Sequence, residues 1–180
     1  MQSIQTVSEN TIYVGASDRR LAKFENLFPI PRGVSYNAYV ILDEKTALLD
    51  TADASVGAQF LENVAAALDG RKLDYLIVDH MEPDHAAMIE AVLVRWPDLR
   101  LVVNAKTLPM LKMYFPTDSA AIDDALVVKE GDTLDLGKHK LTFVMAPMVH
   151  WPEVMMTFDT TTGTPVSYTH LRAHETSLHL

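Results

Sequence analysis

Four side chains able to bind a metal stand within six residues, at His80-Met81-Glu82-Pro83-Asp84-His85. They follow directly on an apolar stretch, Tyr75 to Val78, that reads as a buried strand. A loop leaving the carboxyl end of a strand is where open α/β sheets place ligand sites. Alternate residues of an extended loop share a face and converge on one cation, whereas alternate residues of a helix diverge. Pro83 stiffens the turn and lowers the entropy lost in ordering it. Asp84 on its own would read as the cap of a helix starting near Ala86; four potential ligands at this spacing read as a metal site. A fifth candidate, His150, lies in Ala146-Pro147-Met148-Val149-His150-Trp151-Pro152-Glu153, where prolines on both sides restrict the backbone.

The ligand set is imidazole and carboxylate without sulfur. Closed structural zinc sites usually use cysteine, and this chain has none. Mixed His and carboxylate donors suit iron, manganese or catalytic zinc, and two carboxylates can neutralise much of the charge of two neighbouring cations. The residues alone therefore specify one or two catalytic metal ions.

The elements that must hold these residues are legible from hydrophobic period and turn chemistry. Thr11 to Gly15 reads as a strand, and Ala16 to Ser35, with Pro29, Pro31 and Gly33, as a long irregular connection. Tyr36 to Leu42 and Thr46 to Asp50 form a hairpin. Ser55 to Leu68 places Val56, Phe60, Val64 and Leu68 at helical spacing before Gly70. Lys72 to Val78 is a strand, Ala86 to Arg95 a helix, Leu101 to Val103 a strand, Lys106 to Tyr114 a helix and Leu126 to Val128 a strand. Thr133 to Leu136 and Lys140 to Met145 form a second hairpin that delivers His150; Val154 to Phe158 is a further strand and Thr160 to Pro165 a turn. Hairpins followed by alternating strands and helices specify a layered α/β domain with mixed sheets. His139, at a hairpin turn between lysines, is expected to be exposed. The methionines around Met145, Met148, Met155 and Met156 read as core filling, and Trp151 as packing at or beside the metal site.

At 180 residues and 48% hydrophobic content the chain supports one sizeable core. With 24 acidic against 15 basic residues, its net charge of −9 argues against nucleic acid or an anionic membrane as partner. The absence of cysteine fits a reducing cytoplasm. The N-terminus lacks the basic and apolar regions of a signal peptide, and no apolar run approaches the roughly 20 residues of a membrane span. A soluble, cytoplasmic protein is expected.

The two motifs, His80-Met81-Glu82-Pro83-Asp84-His85 and Val149-His150-Trp151-Pro152-Glu153-Val154-Met155, resemble the di-iron domain of flavodiiron proteins, the A-type flavoproteins that reduce dioxygen or nitric oxide. The resemblance runs to about Pro165 and includes Gly33-Val34-Ser35-Tyr36-Asn37-Ala38-Tyr39 and Leu48-Leu49-Asp50-Thr51. It implies an αββα metallo-β-lactamase fold, mixed sheets with flanking helices. Hydrolases of that fold carry His-x-His-x-Asp-His and bind zinc; a carboxylate at the second position, Glu82 here, marks the iron-binding family. By this resemblance His80, Glu82 and His150 ligate one iron and Asp84 the second, with His85 on or just beside the second. It further implies FMN in a separate flavodoxin-like domain, a donor such as rubredoxin or a flavin/NADH reductase, and a head-to-tail homodimer. The alternatives are a zinc-dependent hydrolase using a metal-activated hydroxide, and a fragment without catalytic function.

The sequence also departs from that family. The bridging aspartate, the last histidine ligand and the flavodoxin-like domain have no counterpart here, and Asp159 lies too early to be the bridge. Residues 166–180 hold three of the seven histidines but no aspartate, and read as a non-native or disordered tail. His170 and His174 have the i, i+4 spacing of a helical metal clamp, though an unstructured tail is the plainer reading. The expectation is a truncated, incomplete domain over residues 1–165, without FMN and inactive by itself.

Overall fold

A computed structural model describes residues 3–24, 27–116 and 120–166. The chain opens with β1 (Gln5–Ser8), β2 (Thr11–Tyr13), β3 (Ala16–Asp18), β4 (Lys23–Phe24), β5 (Phe28–Pro29), β6 (Val34–Tyr36), β7 (Tyr39–Leu42) and β8 (Thr46–Leu49). Helix α1 (Gly57–Leu68) leads to β9 (Tyr75–Ile77), then α2 (Pro83–Ala86), α3 (Ile89–Arg95), β10 (Arg100–Asn104), α4 (Thr107–Tyr114), α5 (Ala120–Asp123) and β11 (Leu126–Val128). The remainder is β12 (Thr133–Asp135), β13 (Lys140–Met145), β14 (Met155–Asp159) and β15 (Thr164–Pro165).

Seven strands form one mixed sheet in the order β1-β2-β7-β8-β9-β10-β11, antiparallel as far as β8 and parallel from β8 to β11. Parallel neighbours need crossover connections, and the five α-helices lie in those crossovers. A second, antiparallel sheet runs β12-β13-β14-β15.

Alternation along the strands explains how these layers stack. Val40, Leu48, Leu76, Leu101 and Val103 point to one face and pack with Phe60, Val64 and Leu68 of α1, Ile89 and Val92 of α3, and Leu111 of α4. Their neighbours Ile41, Leu49, Ile77 and Val102 point to the other face and meet Leu134, Leu141, Phe143 and Met155 of the second sheet. The layers are thus helix, sheet, sheet. The second helical layer of an αββα sandwich is not among the described residues. No helix among them is long and apolar enough to cross a membrane.

Most sequence expectations hold, and the differences lie at particular segments. The connection from Ala16 to Ser35 is not irregular throughout: β3 pairs with β6 and β4 with β5. Gly33 sits at φ 78 beneath the Asp18 carbonyl, so that even a Cβ there would collide with it. The helix after the His-rich loop is broken into α2 and α3 and begins at Pro83. Proline is pre-organised for a first helical position, so Glu82 is the residue before the helix and Asp84 lies in its first turn without capping it.

His139 is buried, not exposed. Two acidic side chains, one from the turn between β7 and β8 and one from the end of β14, satisfy it. Its backbone N–H donates to Asp43 Oδ2 at 2.6 Å, and its Nδ1 shares a 2.8 Å hydrogen bond with Asp159 Oδ2. The tail expected to be foreign falls, from residue 167 onward, outside the described residues. Val166 itself packs in the second core and donates its N–H to the Thr157 carbonyl.

Candidate metal centre

The centre lies where the two sheets meet, beyond the carboxyl ends of β8 and β9. β8 is followed by Asp50, whose backbone is left-handed at φ 56. There the Asp50 carboxylate turns inward: Oδ1 accepts the Asp79 N–H at 2.8 Å and Oδ2 faces His85 Nδ1 at 3.0 Å. The Thr51 N–H and hydroxyl both donate to the His85 carbonyl, at 2.7 and 2.6 Å. These bonds fix the loop after β9 from the first-sheet side.

The second sheet fixes it from the other side. Met155 N–H donates to the Asp79 carbonyl at 3.0 Å and Thr157 Oγ1 to Asp79 Oδ1 at 2.8 Å. The loop between β13 and β14 then brings in His150, Trp151 and Glu153. Glu153 Oε1 receives His80 Nδ1 at 2.8 Å and the Met81 N–H at 3.1 Å.

Three of the predicted ligands converge. One oxygen of Glu82, Oε2, stands 3.1 Å from His80 Nε2 and 3.1 Å from His150 Nε2. The donor atoms of His80, Glu82 and His150 all lie within 4.8 Å of one another. With donors about 2.1 Å from an ion, adjacent donors are separated by about 3.0 Å in octahedral and about 3.4 Å in tetrahedral geometry. The observed spacing therefore fits one cation with little movement, and the donor chemistry suits iron or zinc.

Asp84 and His85 do not join that trio. They form a pair beside it, with Asp84 Oδ2 3.6 Å from His85 Nε2 and the His85 ring 5.3 Å from that of His80. His170 and His174 lie outside the described residues.

Burial is uneven across the site. His80, Glu82 and His85 are enclosed, whereas the His150 side chain is 33% exposed and forms the open side. The Trp151 indole stands edge-on to His80 with centroids 5.3 Å apart. Burial alone would lower the His80 pKa, but hydrogen bonds to Glu153 and Glu82 outweigh it and push the imidazole up to about 9. For His85, burial is likewise outweighed by Asp50 and then Asp84, and its pKa is raised. Burial would raise Glu153, yet the hydrogen bond from His80 holds it below the usual carboxylate range.

Sequence reasoning gave no role to Asp50, Asp79 or Glu153. Their signal was positional: Asp50 and Asp79 follow apolar strands, and Glu153 follows His150 by three residues.

Comparison with known proteins agrees with this architecture. Residues 34–167 match the family described as ODP family beta lactamase. The chain belongs to that family. Among its relatives is the nitric oxide reductase of Moorella thermoacetica, 36% identical over 154 residues, which are 84% of this chain and 38% of that protein. The rubredoxin oxygen:oxidoreductase of the anaerobe Desulfovibrio gigas superposes with a TM-score of 0.81 at 31% identity, over 87% of this chain and 38% of that one. The flavodiiron protein of Giardia intestinalis gives a TM-score of 0.81 at 26% identity, over 88% and 38%. The chain thus spans about two fifths of the length of these proteins. The expected α/β fold with mixed sheets and the expected flavodiiron kinship are both borne out.

Proposed function

We propose that this chain is the metal-binding domain of a flavodiiron oxidoreductase that reduces dioxygen to water or nitric oxide to nitrous oxide. The observation that carries the reading is Glu82 Oε2, equidistant at 3.1 Å from two imidazole nitrogens. His80, Glu82 and His150 hold one iron; Asp84 and His85 face the position of a second. Iron bound there supplies open coordination positions for a diatomic gas and electrons for its reduction.

The protein's own residues prepare that site. His80 carries a proton at neutral pH when no metal is bound, and a cation must displace it. Trp151 covers the His80 edge of the site, and the exposed flank of His150 gives a small molecule access. The whole protein takes its electrons from FMN on a flavodoxin-like domain, supplied by a rubredoxin-type or flavin/NADH donor, and works as a head-to-tail homodimer. The domain boundary falls near residue 165. The relatives' names favour this reading over a zinc hydrolase of the same fold.

Metal analysis combined with an optical spectrum tests the proposal. Protein loaded anaerobically and then oxidised is expected to hold iron with a ferric absorption band, and to prefer iron to zinc because of Glu82. Stoichiometric zinc in protein that refuses iron overturns it.

A further inference from the structure

We propose that Glu153 is a positioning residue for the metal centre: it fixes the His80 ring so that Nε2, and not Nδ1, is offered to the cation. The proposal rests on the reading of His80 as a ligand. A ligating histidine whose other ring nitrogen donates to a carboxylate is locked in tautomer and orientation, and becomes a better donor.

The geometry meets each requirement of that role. Glu153 Oε1 lies 2.8 Å from His80 Nδ1, on the opposite side of the ring from Glu82, which stands 3.1 Å from Nε2. The same oxygen accepts the Met81 N–H at 3.1 Å, so ring and backbone are held against one point. Glu153 is itself immobilised. It is 1% exposed, its carbonyl accepts Asn104 Nδ2 at 2.5 Å, and Lys106 Nζ holds the preceding Pro152 carbonyl at 3.1 Å.

Glu153 also couples the two halves of the trio. It is three residues beyond His150 on the loop between β13 and β14, while His80 lies on the loop that follows β9 of the first sheet. A carboxylate there registers the loop that brings His150 against the loop that brings His80 and Glu82. Asp50 treats His85 in the same manner from β8, taking the ring Nδ1 on one oxygen and a backbone N–H on the other. Each buried histidine of the motif thus has its own carboxylate behind it.

The test uses cobalt(II) titration, followed by its visible absorption, and proton NMR of the zinc-loaded chain. Wild type is expected to bind cobalt and, with zinc, to show a slowly exchanging His80 Nδ1–H resonance. Glu153→Gln keeps an acceptor for both donors and is expected to retain that resonance, with affinity within roughly 10-fold of wild type. Glu153→Ala is expected to lose the resonance and roughly 10- to 100-fold in affinity. Cobalt affinity of E153A equal to wild type, or a zinc-loaded wild type without the protected Nδ1–H, overturns the proposal; the second readout stands even if E153A fails to fold. A wild type that binds neither cobalt nor zinc overturns instead the metal reading beneath it.

Discussion

Replacing Asp50 separates its backbone role from its charge. In Asp50→Ala the buried Asp79 N–H loses its acceptor, at a cost of about 1–3 kcal/mol, and His85 Nδ1 loses its carboxylate at a similar cost. Alanine at φ 56 adds about 1 kcal/mol, because a Cβ crowds the left-handed conformation that aspartate and asparagine tolerate. The expected loss is about 4 kcal/mol, or roughly 8–16 °C in Tm for a domain of this size. Asp50→Asn keeps an oxygen for Asp79 and keeps the tolerance of positive φ. It presents an amide to His85, which can accept if its proton moves to Nε2, and its expected loss is about 1–2 kcal/mol. Urea unfolding of the metal-free chain, with thermal melts beside it, measures both. Destabilisation of D50A below about 1 kcal/mol, or equal losses for the two variants, would refute the claim that Asp50 pins the loop.

Two further predictions concern pH. Because His80 is raised to about 9, its proton competes with metal: affinity is expected to fall roughly tenfold per pH unit as the pH drops below about 9, and calorimetry in buffers of different ionisation enthalpy should detect proton release on binding at neutral pH. Burial would raise the Asp159 pKa, but the His139 hydrogen bond and those from Thr162 and Thr161 hold it below 3.8. A depressed carboxylate contributes stability above its unfolded pKa and loses it as the pH falls through the folded value. Asp159→Asn should therefore flatten the acid limb of the stability curve below about pH 4, seen as a smaller change in urea midpoint between acid and neutral pH than in wild type.

The sequence displayed the candidate ligands better than it displayed what holds them. His80 and Glu82 were legible because metal donors cluster at unusual density, His150 because prolines flank it, and strands β7 to β11 because apolar period and turn residues agree. The break between α2 and α3 was not, since apolar spacing continues through Ala87 and Met88 without a proline or glycine to mark it. His139 was misjudged for a related reason. Its neighbours in sequence are lysines, but its neighbours in space, Asp43 and Asp159, come from distant parts of the chain. Glu153 carries the same lesson: a lone acid in a loop looks solvated until the partner 73 residues earlier is known.

That separation also orders events in time. Contacts between residues distant in sequence form late, because loop closure must precede them. At synthesis rates of about 5–20 residues per second, the 73 residues from His80 to Glu153 take roughly 4 to 15 s to emerge. For that interval His80 and Glu82 are already outside the ribosome while Glu153 has not yet emerged. A cation that meets the nascent chain then finds half a site, with no carboxylate behind His80 and no second imidazole opposite Glu82. On the proposed reading, capture of a cation therefore follows the docking of the second sheet, which the buried contacts of Leu134, Leu141, Phe143 and Met155 hold against the first sheet without a metal.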